Sequence, residues 1–416
     1  MFDRPPRERE ALSWAYAAIW ASLTFVTVPY VRVVVTFVEE NVGEGFFTYK
    51  VVGLVGLTAI AALYLIRQRF TFWSCVWLLG IACLIIYLAF GLADGSPVEA
   101  VHYVQYGTLS ILLFRAFSHR VRDYSIYAAV ILTGTLAGMI DETIQWLTPD
   151  RFFDLRDVWL NFKATALVQI GLAAGIRPRL ISGRPGFASL RRVCGLSALT
   201  LGYLGLCLQN TPDRVAGYID TVPGFGFVDP TRNVMVEYGY LHDATRTVAF
   251  RSRLTLEELR QANARHAAGS APDLDDIHER SGQDDFDWRE YLLTNTFLYE
   301  GRLHQLRRDQ NITSAELSER DHDRSEQLAA AYRENVILKD HFYEVLRDTR
   351  YEWTPGTEND VREHADLDGS YTSSISTHLV VAFSRRQSAV VSFGGVVMLL
   401  LGMAYFHRRS RRIVAQ

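Results

Sequence analysis

Long apolar stretches separated by short polar loops dominate the first half of the chain. A transmembrane helix needs about 20 mostly apolar residues, and eight stretches approach or reach that length: 11–29, 51–66, 71–92, 98–117, 124–146, 158–176, 190–208 and 388–406. Residues 209–385, between the seventh and the eighth, are polar and charged. The pattern predicts an all-α polytopic membrane protein of about eight transmembrane helices, with a polar domain inserted before the last helix.

The polar region carries the patterns of a folded α+β domain. Segments 233–240 and 245–253 alternate as two strands joined across 242–244, and Thr255 with Glu258 forms a capping box that opens a helix. The remaining predictions are a loop at 266–285, a helix at 287–308, a capped helix from Thr313 to about Arg350, and a strand at 370–384.

Arginine positions predict the orientation, because basic residues collect in cytoplasmic loops. Arginines precede the first predicted span, follow the second and fourth, separate the sixth from the seventh, and end the chain. All these places lie on one side if both termini are cytoplasmic, which puts residues 209–385 outside. The predicted divisions are a cytoplasmic N-terminus (1–10), a six-span module (11–176), a basic loop with the seventh span (177–208), an extracytoplasmic domain (209–385), and a final span with a basic tail (386–416).

Candidate chemistry concentrates in residues 141–161, between the fifth and sixth predicted spans. Asp141, Glu142 and Gln145 are three or four positions apart, so they share one broad face of a helix. A carboxylate near the centre of a bilayer costs about 2.5–3.5 kcal/mol on insertion scales, so such residues usually face a protein interior or a wet cavity. The cluster therefore predicts either a polar pocket or a hydrogen-bonded staple between helices.

The neighbouring residues extend this polar face on both sides. Gly134 and Gly138 form a G-x-x-x-G pair that lets another helix approach closely. Asp157 and Asn161 repeat the four-residue step at the start of the next predicted helix. Two helix ends are therefore expected to present polar side chains to each other, across a loop that carries Arg151.

The order D-E-x-x-Q, P-x-R, D-x-x-x-N resembles the VanZ-like family of bacterial membrane proteins over roughly residues 20–176. The matching positions are Asp141, Glu142, Gln145, Pro149, Arg151, Asp157 and Asn161. The family's upstream K-x-x-H-x-x-x-Y element reads Glu99, His102 and Tyr106 here, with an acid in place of the lysine, and Ala164 stands where a glycine is common. The resemblance implies a bacterial cytoplasmic-membrane protein of the cell envelope, linked to glycopeptide-antibiotic susceptibility.

We expect the fourth, fifth and sixth spans to bring these polar residues into one outward-facing pocket. Its predicted members are Glu99, His102, Tyr106, Asp141, Glu142, Gln145, Arg151, Asp157 and Asn161. Such a pocket would bind a lipid headgroup or a lipid-linked cell-wall precursor.

Two alternatives remain open for the same residues. In an intramembrane enzyme, His102 and one carboxylate would act as base and acid on an envelope lipid. In an assembly or sensing protein, the cluster would be a staple and the extracytoplasmic domain would bind a protein partner.

Other classes of site lack support in the sequence. One histidine among scattered acids is a weak metal signature, and all four cysteines fall within apolar runs. No basic domain with interleaved aromatic residues is present, so nucleic acid is not an expected partner. We therefore expect no cofactor, no metal and no nucleic-acid partner.

Overall fold

A computed structural model of the protein places a helix in each of the eight apolar stretches. The structure describes residues 6–43, 46–69, 71–92, 97–148, 151–228, 234–267, 272–281 and 294–414. The chain divides into two units, Met1–Leu208 with Ala389–Gln416, and Gln209–Ser388. We call the first the membrane unit and the second the polar unit.

The first 208 residues of the membrane unit form eight helices in the described ranges. They are α1 (Glu10–Thr27), α2 (Val31–Val42), α3 (Phe46–Ile66), α4 (Phe72–Gly91), α5 (Val101–Phe117), α6 (Ser125–Trp146), α7 (Leu155–Ile170) and α8 (Phe187–Cys207). A π-helical segment, Gly171–Ile176, extends α7. Helix α2 is additional to the predicted spans and follows α1 after a short 3₁₀ turn.

The polar unit combines helices with a three-stranded sheet, as the α+β prediction requires. Its elements are α9 (Pro212–Thr221), β1 (Tyr240–Asp243), β2 (Val248–Ser252), α10 (Leu256–Ala267), α11 (Leu274–Ser281), α12 (Thr296–Leu317), α13 (Asp321–His341), α14 (Tyr343–Leu346), α15 (Pro355–His364) and β3 (Tyr371–Thr372). Strand β2 pairs antiparallel with β1 and parallel with β3. The last helix, α16 (Arg385–Val414), returns the chain to the membrane unit.

Among the described residues, three helices are long and apolar enough to cross a membrane: Tyr49–Ile66, Phe72–Gly91 and Arg385–Arg411. A fourth span results if Phe187–Cys207 and Pro212–Ile219 are one broken span. The predicted count of about eight spans is therefore not confirmed. Helices α5 and α7 have only 17 and 16 residues, while α1 and α6 are long enough but less apolar.

Helix α5 lies at the centre of the membrane unit, where it contacts α1, α3, α6 and α7. Its residues Tyr106 and Phe114 are almost completely buried, and Ile126 of α6 joins the same core. Large apolar side chains of α3 and α4, such as Ile60 and Trp73, are instead exposed. A buried α5 surrounded by helices with exposed apolar faces is the arrangement expected for a bundle in lipid.

Two strand predictions in the polar unit need correction. Strand β2 lies inside the predicted strand 245–253, but β1 begins at Tyr240, where the predicted strand 233–240 ends. His242 and Asp243, which the sequence assigned to the turn, pair with Phe250 and Ala249. Only Tyr371–Thr372 of the predicted strand 370–384 is in the sheet.

The helix predictions in the polar unit have mixed outcomes. The capping box at Thr255 is confirmed, because the backbone N–H of Glu258 donates to Thr255 Oγ1 at 3.2 Å. The second proposed box is wrong, because the Thr313 hydroxyl donates to the Asp309 carbonyl at 3.1 Å within a continuous helix.

The predicted bounds of the neighbouring elements also shift. Because the helix continues through Thr313, α12 runs to Leu317. The single helix predicted from Thr313 to about Arg350 is thus divided between α12 and α13, and α13 ends at His341. The helix predicted at 287–308 corresponds to α12 from Thr296 onward, while residues 282–293 lie outside the described ranges. Helix α11 occupies part of the predicted loop 266–285.

Candidate functional site

Two glycines of α6 allow α7 to approach closely enough to build the polar cluster. A Cβ atom on Gly134 would lie 2.7 Å from Thr165 Cγ2, and one on Gly138 would lie 2.8 Å from Asn161 Cβ. Both distances are shorter than real Cβ contacts, so only glycine fits there. The G-x-x-x-G prediction is confirmed, and Asn161 is held against α6.

Two side-chain hydrogen bonds between predicted site residues join helix α5 to α6 and α7. The Tyr106 hydroxyl donates to Asp141 Oδ2 at 2.9 Å, and His102 Nδ1 lies 2.8 Å from Asn161 Oδ1. Because the amide oxygen can only accept, His102 carries its proton on Nδ1 when neutral, which leaves Nε2 as an acceptor. The helices α5, α6 and α7, which correspond to the fourth, fifth and sixth predicted spans, are therefore in contact, as the sequence predicts.

Glu142 anchors the segment between α6 and α7 from a completely buried position. Its Oε1 accepts from Gln145 Nε2 at 2.6 Å, and its Oε2 accepts from the backbone N–H of Asp154 at 3.1 Å. Arg151 Nη2 in turn donates to Gln145 Oε1 at 2.6 Å. These bonds form a staple, so part of the cluster serves structure.

Residues at the start of α7 form a second, more exposed group. Asp154 caps the helix by accepting from the backbone N–H of Arg156 at 2.7 Å. The Arg156 side chain lies 3.1 Å from Asp154 and 3.7 Å from Glu99. Glu99, which replaces the lysine of the VanZ-like pattern, therefore has a basic partner on α7.

A cavity of about 400 Å³ opens above the staple. Six of the predicted site residues line it: Glu99, His102, Asp141, Gln145, Arg151 and Asp157. The other three, Tyr106, Glu142 and Asn161, are buried behind these side chains and hold them in place. Pro149 lies outside the described residues.

The opposite wall of the cavity is apolar and was not predicted from the sequence. It comprises residues from the end of α1, from the following 3₁₀ turn, from α2 and from the start of α3, and its apolar members include Val28, Val34, Val35 and Phe47. The amphipathic pattern of residues 30–46 was the available signal, since an amphipathic helix must place its apolar face against something. The cavity therefore has a charged wall and a hydrocarbon wall.

Several polar atoms of the cluster lack hydrogen-bond partners within the described part of the chain. Asp141 Oδ1 and Asn161 Nδ2 are buried without a hydrogen bond, although Asp141 lines the cavity. The Asp157 carboxylate, also in the lining, has no hydrogen bond or ion pair to another described side chain. The hydrogen bonds of the staple therefore do not satisfy every polar atom of the cluster.

A comparison with protein families matches the part of the chain that carries this site. Residues 13–174 match the VanZ/LLP1 family model. This module is VanZ-like. The matched range includes all nine predicted site residues. No curated protein and no solved structure matches the chain.

The VanZ-like module places charged and hydrogen-bonding side chains along the cavity. Within the described ranges, no three or more His, Cys, Asp or Glu side chains are arranged to hold a metal ion. The carboxylates are instead distributed along the cavity wall with Arg151, Arg156 and His102 between them. Such a wall suits an organic ligand that carries charge of both signs.

The polar unit contains a separate buried network around Glu334. This carboxylate accepts from His304 Nδ1, the Tyr371 hydroxyl and the Ser373 hydroxyl, each at 2.6 Å. Burial opposes its ionisation, but His304 and the two hydroxyl groups outweigh burial and lower the pKa of Glu334. The network joins α12, α13 and the segment that contains β3, so we assign it a structural role.

We expect the polar unit to lose stability as the pH falls from about 6.5 towards 4. The pKa of His341 is lowered from 6.5 to about 4. Burial is the largest cause, and the nearby His242 and His304 add to it. As the pH falls, His341 is therefore protonated in the unfolded chain before it is protonated in the folded unit. Its contribution to the stability of the polar unit is fully present above pH 6.5 and decreases as the pH falls through this window. The lowered pKa of Glu334 acts in the same direction at lower pH.

Hydrogen exchange of residues 294–346 in the full chain, corrected for intrinsic rates, measures this effect. Protection should be lower at pH 5 than at pH 7. His341→Asn should remove most of the difference in this range, because asparagine does not titrate. A protection pattern that is independent of pH in the wild type contradicts the expectation.

Proposed function

We propose that the VanZ-like module binds a lipid headgroup, or the polar part of a lipid-linked glycan precursor, in the cavity. The observation that carries this proposal is the cavity itself, whose lining combines charged and apolar residues. A membrane lipid presents the same two chemistries within a few ångströms. Pockets for small ligands typically measure about 300–1,000 Å³, a range that includes this cavity.

The charged wall has groups for both parts of a phospholipid or a phosphate-linked sugar. Arg151 and Arg156 suit a phosphate, because guanidinium groups form strong charge-assisted hydrogen bonds with it. Asp141, Asp157 and His102 suit hydroxyl and amino groups. The staple beneath, centred on Glu142, keeps these side chains in place without occupying the cavity.

The cellular setting follows from the family and from the distribution of arginines. A VanZ-like module implies a role in the bacterial envelope and in susceptibility to glycopeptide antibiotics. Cytoplasmic arginine-rich loops would place both termini on the cytoplasmic side of the membrane, and the cavity would then open towards the outer surface. The polar unit would then be extracytoplasmic, where it would bind a protein partner or assist ligand recognition.

A second candidate function is catalysis on the same class of lipid. It is favoured by the bond between His102 Nδ1 and Asn161 Oδ1, which orients the ring and leaves Nε2 as a potential general base. His102 also lines the cavity together with Asp141 and Asp157. Chemical change of a bound lipid during incubation with the purified protein would favour the enzyme, whereas unchanged bound lipid favours a binding protein.

The Asp157→Asn variant separates binding from structure. Because this carboxylate has no partner among the described side chains, we expect the melting temperature in detergent to change by less than about 2 °C. The effect of the protein on envelope-targeting antibiotics should nevertheless be lost. Arg151→Gln should behave similarly, with a larger loss of stability because its bond to Gln145 is broken.

Thermal melting and drug susceptibility, measured side by side, test this expectation. Glu40→Gln is the matched control, since this exposed acid of α2 is outside the cavity lining. If every variant that loses the antibiotic effect also loses stability, the cluster is only a staple and the binding site is withdrawn.

A further inference from the structure

We propose that the cavity selects a headgroup in which a primary ammonium lies close to a phosphate, as in an aminophospholipid. This inference rests on the proposed function and specifies its ligand. It follows from the distribution of charge in the cavity, from the hydrogen-bonding capacity of the Asp157 carboxylate, and from the size of the cavity.

The cavity lining contains more acidic than basic side chains. Its carboxylates are Glu99, Asp141, Asp154 and Asp157, and its guanidinium groups are Arg151 and Arg156. Arg156 contacts both Asp154 and Glu99. Neither Asp141 nor Asp157 forms an ion pair with another described residue, so two carboxylates remain for a cationic ligand.

The surroundings of these two carboxylates favour a cation that donates hydrogen bonds. Asp141 is 2% exposed, and one of its oxygens, Oδ1, has no donor among the described residues. Its other oxygen already accepts from Tyr106. A primary ammonium has three N–H donors, and the partly exposed Asp157 carboxylate in the lining can accept from it. A quaternary ammonium has no N–H group and could not form this hydrogen bond.

The rest of the cavity fits the remainder of such a headgroup. The arginines lie in the same lining as the two aspartates, so a phosphate attached to the amine by a short linker can reach them. Tyr30 and Phe47 contribute aromatic rings to the lining, and aromatic faces attract ammonium groups. A volume of about 400 Å³ is at the lower end for ligand pockets, which favours a single small headgroup over a glycan that carries a peptide.

Binding to the purified full chain in detergent tests the proposal. The probes are dioleoyl phosphatidylethanolamine, phosphatidylcholine and phosphatidylglycerol, titrated separately and followed by native mass spectrometry. We expect phosphatidylethanolamine to bind about tenfold or more tightly than the other two. Asp157→Asn should weaken its binding by a similar factor and leave phosphatidylglycerol unchanged, while Glu40→Gln should change neither.

Competition with soluble phosphoethanolamine distinguishes a site for a lipid headgroup from a site for the free compound. Competition by this compound supports the headgroup chemistry: a much weaker affinity than that of the lipid assigns the site to a lipid, and an equal affinity assigns it to the free compound. A failure to compete even at saturation overturns the proposal, because the lipid would then be held by its chains.

Two further outcomes separate this inference from the proposed function. Equal or tighter binding of phosphatidylglycerol, weakened by Arg151→Gln, overturns the ammonium preference but keeps a headgroup site in the cavity. Binding of all three lipids that neither Asp157→Asn nor Arg151→Gln affects overturns both.

Discussion

Replacing Glu334 with alanine is expected to destabilise the polar unit strongly. The change leaves His304, Tyr371 and Ser373 without the acceptor that each contacts at 2.6 Å. Removing one partner from a buried charged network costs about 3–5 kcal/mol. Because domains are stable by only about 5–15 kcal/mol, this is a large part of the total.

Glu326→Ala is the matched control, since Glu326 lies on the same helix but is exposed. Its contact with His322 is an exposed pair of residues four apart, and such pairs contribute little. Hydrogen exchange across residues 294–346 should show loss of protection in Glu334→Ala and near-wild-type protection in Glu326→Ala. Similar protection in both variants would show that the Glu334 network is not structurally important.

The second large effect is expected from Gly138→Ala in the membrane unit. The new methyl group would lie 2.8 Å from Asn161 Cβ and 3.0 Å from Asn161 Nδ2. Helix α7 must move away, which disturbs the bond between Asn161 and His102 and the wall of the cavity. Overpacking of this kind costs about 1–3 kcal/mol, so we expect a lower melting temperature together with loss of ligand binding.

Gly80→Ala provides the control for this substitution. Gly80 also lies inside a helix of the membrane unit, but a Cβ atom there would meet no heavy atom within 4 Å. Alanine is favoured over glycine in helices by about 1 kcal/mol, so this variant should be as stable as the wild type or slightly more stable. An unchanged melting temperature in Gly138→Ala would refute the close contact between α6 and α7.

The helices and the polar cluster were predictable because both depend on local spacing. Asp141, Glu142 and Gln145 share a helix face by their positions alone, and the glycine pair identifies where another helix approaches. Local spacing also predicted the Thr255 capping box. At Thr313 the same pattern is misleading, because the hydroxyl can bond to the carbonyl four residues earlier when the helix continues through it.

The remaining features depend on contacts between residues far apart in sequence. The apolar wall at Val34 and Val35 is part of the site only because α1 and α2 pack near α5, which no local pattern specifies. The partner of Glu99, Arg156, is 57 residues further along the chain. The predicted number of spans is not confirmed, because α5 to α7 have lengths and polar contents between those of a buried helix and a membrane-spanning helix.

The central claim is that the cavity of the VanZ-like module holds a lipid headgroup, and lipid mass spectrometry of the purified protein tests it most directly. Wild-type protein and Glu40→Gln should retain the same lipid after washing in detergent, at close to one molecule per chain. The double variant Asp157→Asn, Arg151→Gln should lose it while remaining folded. Equal retention by the folded double variant, or no specific lipid on the wild type, would contradict the claim.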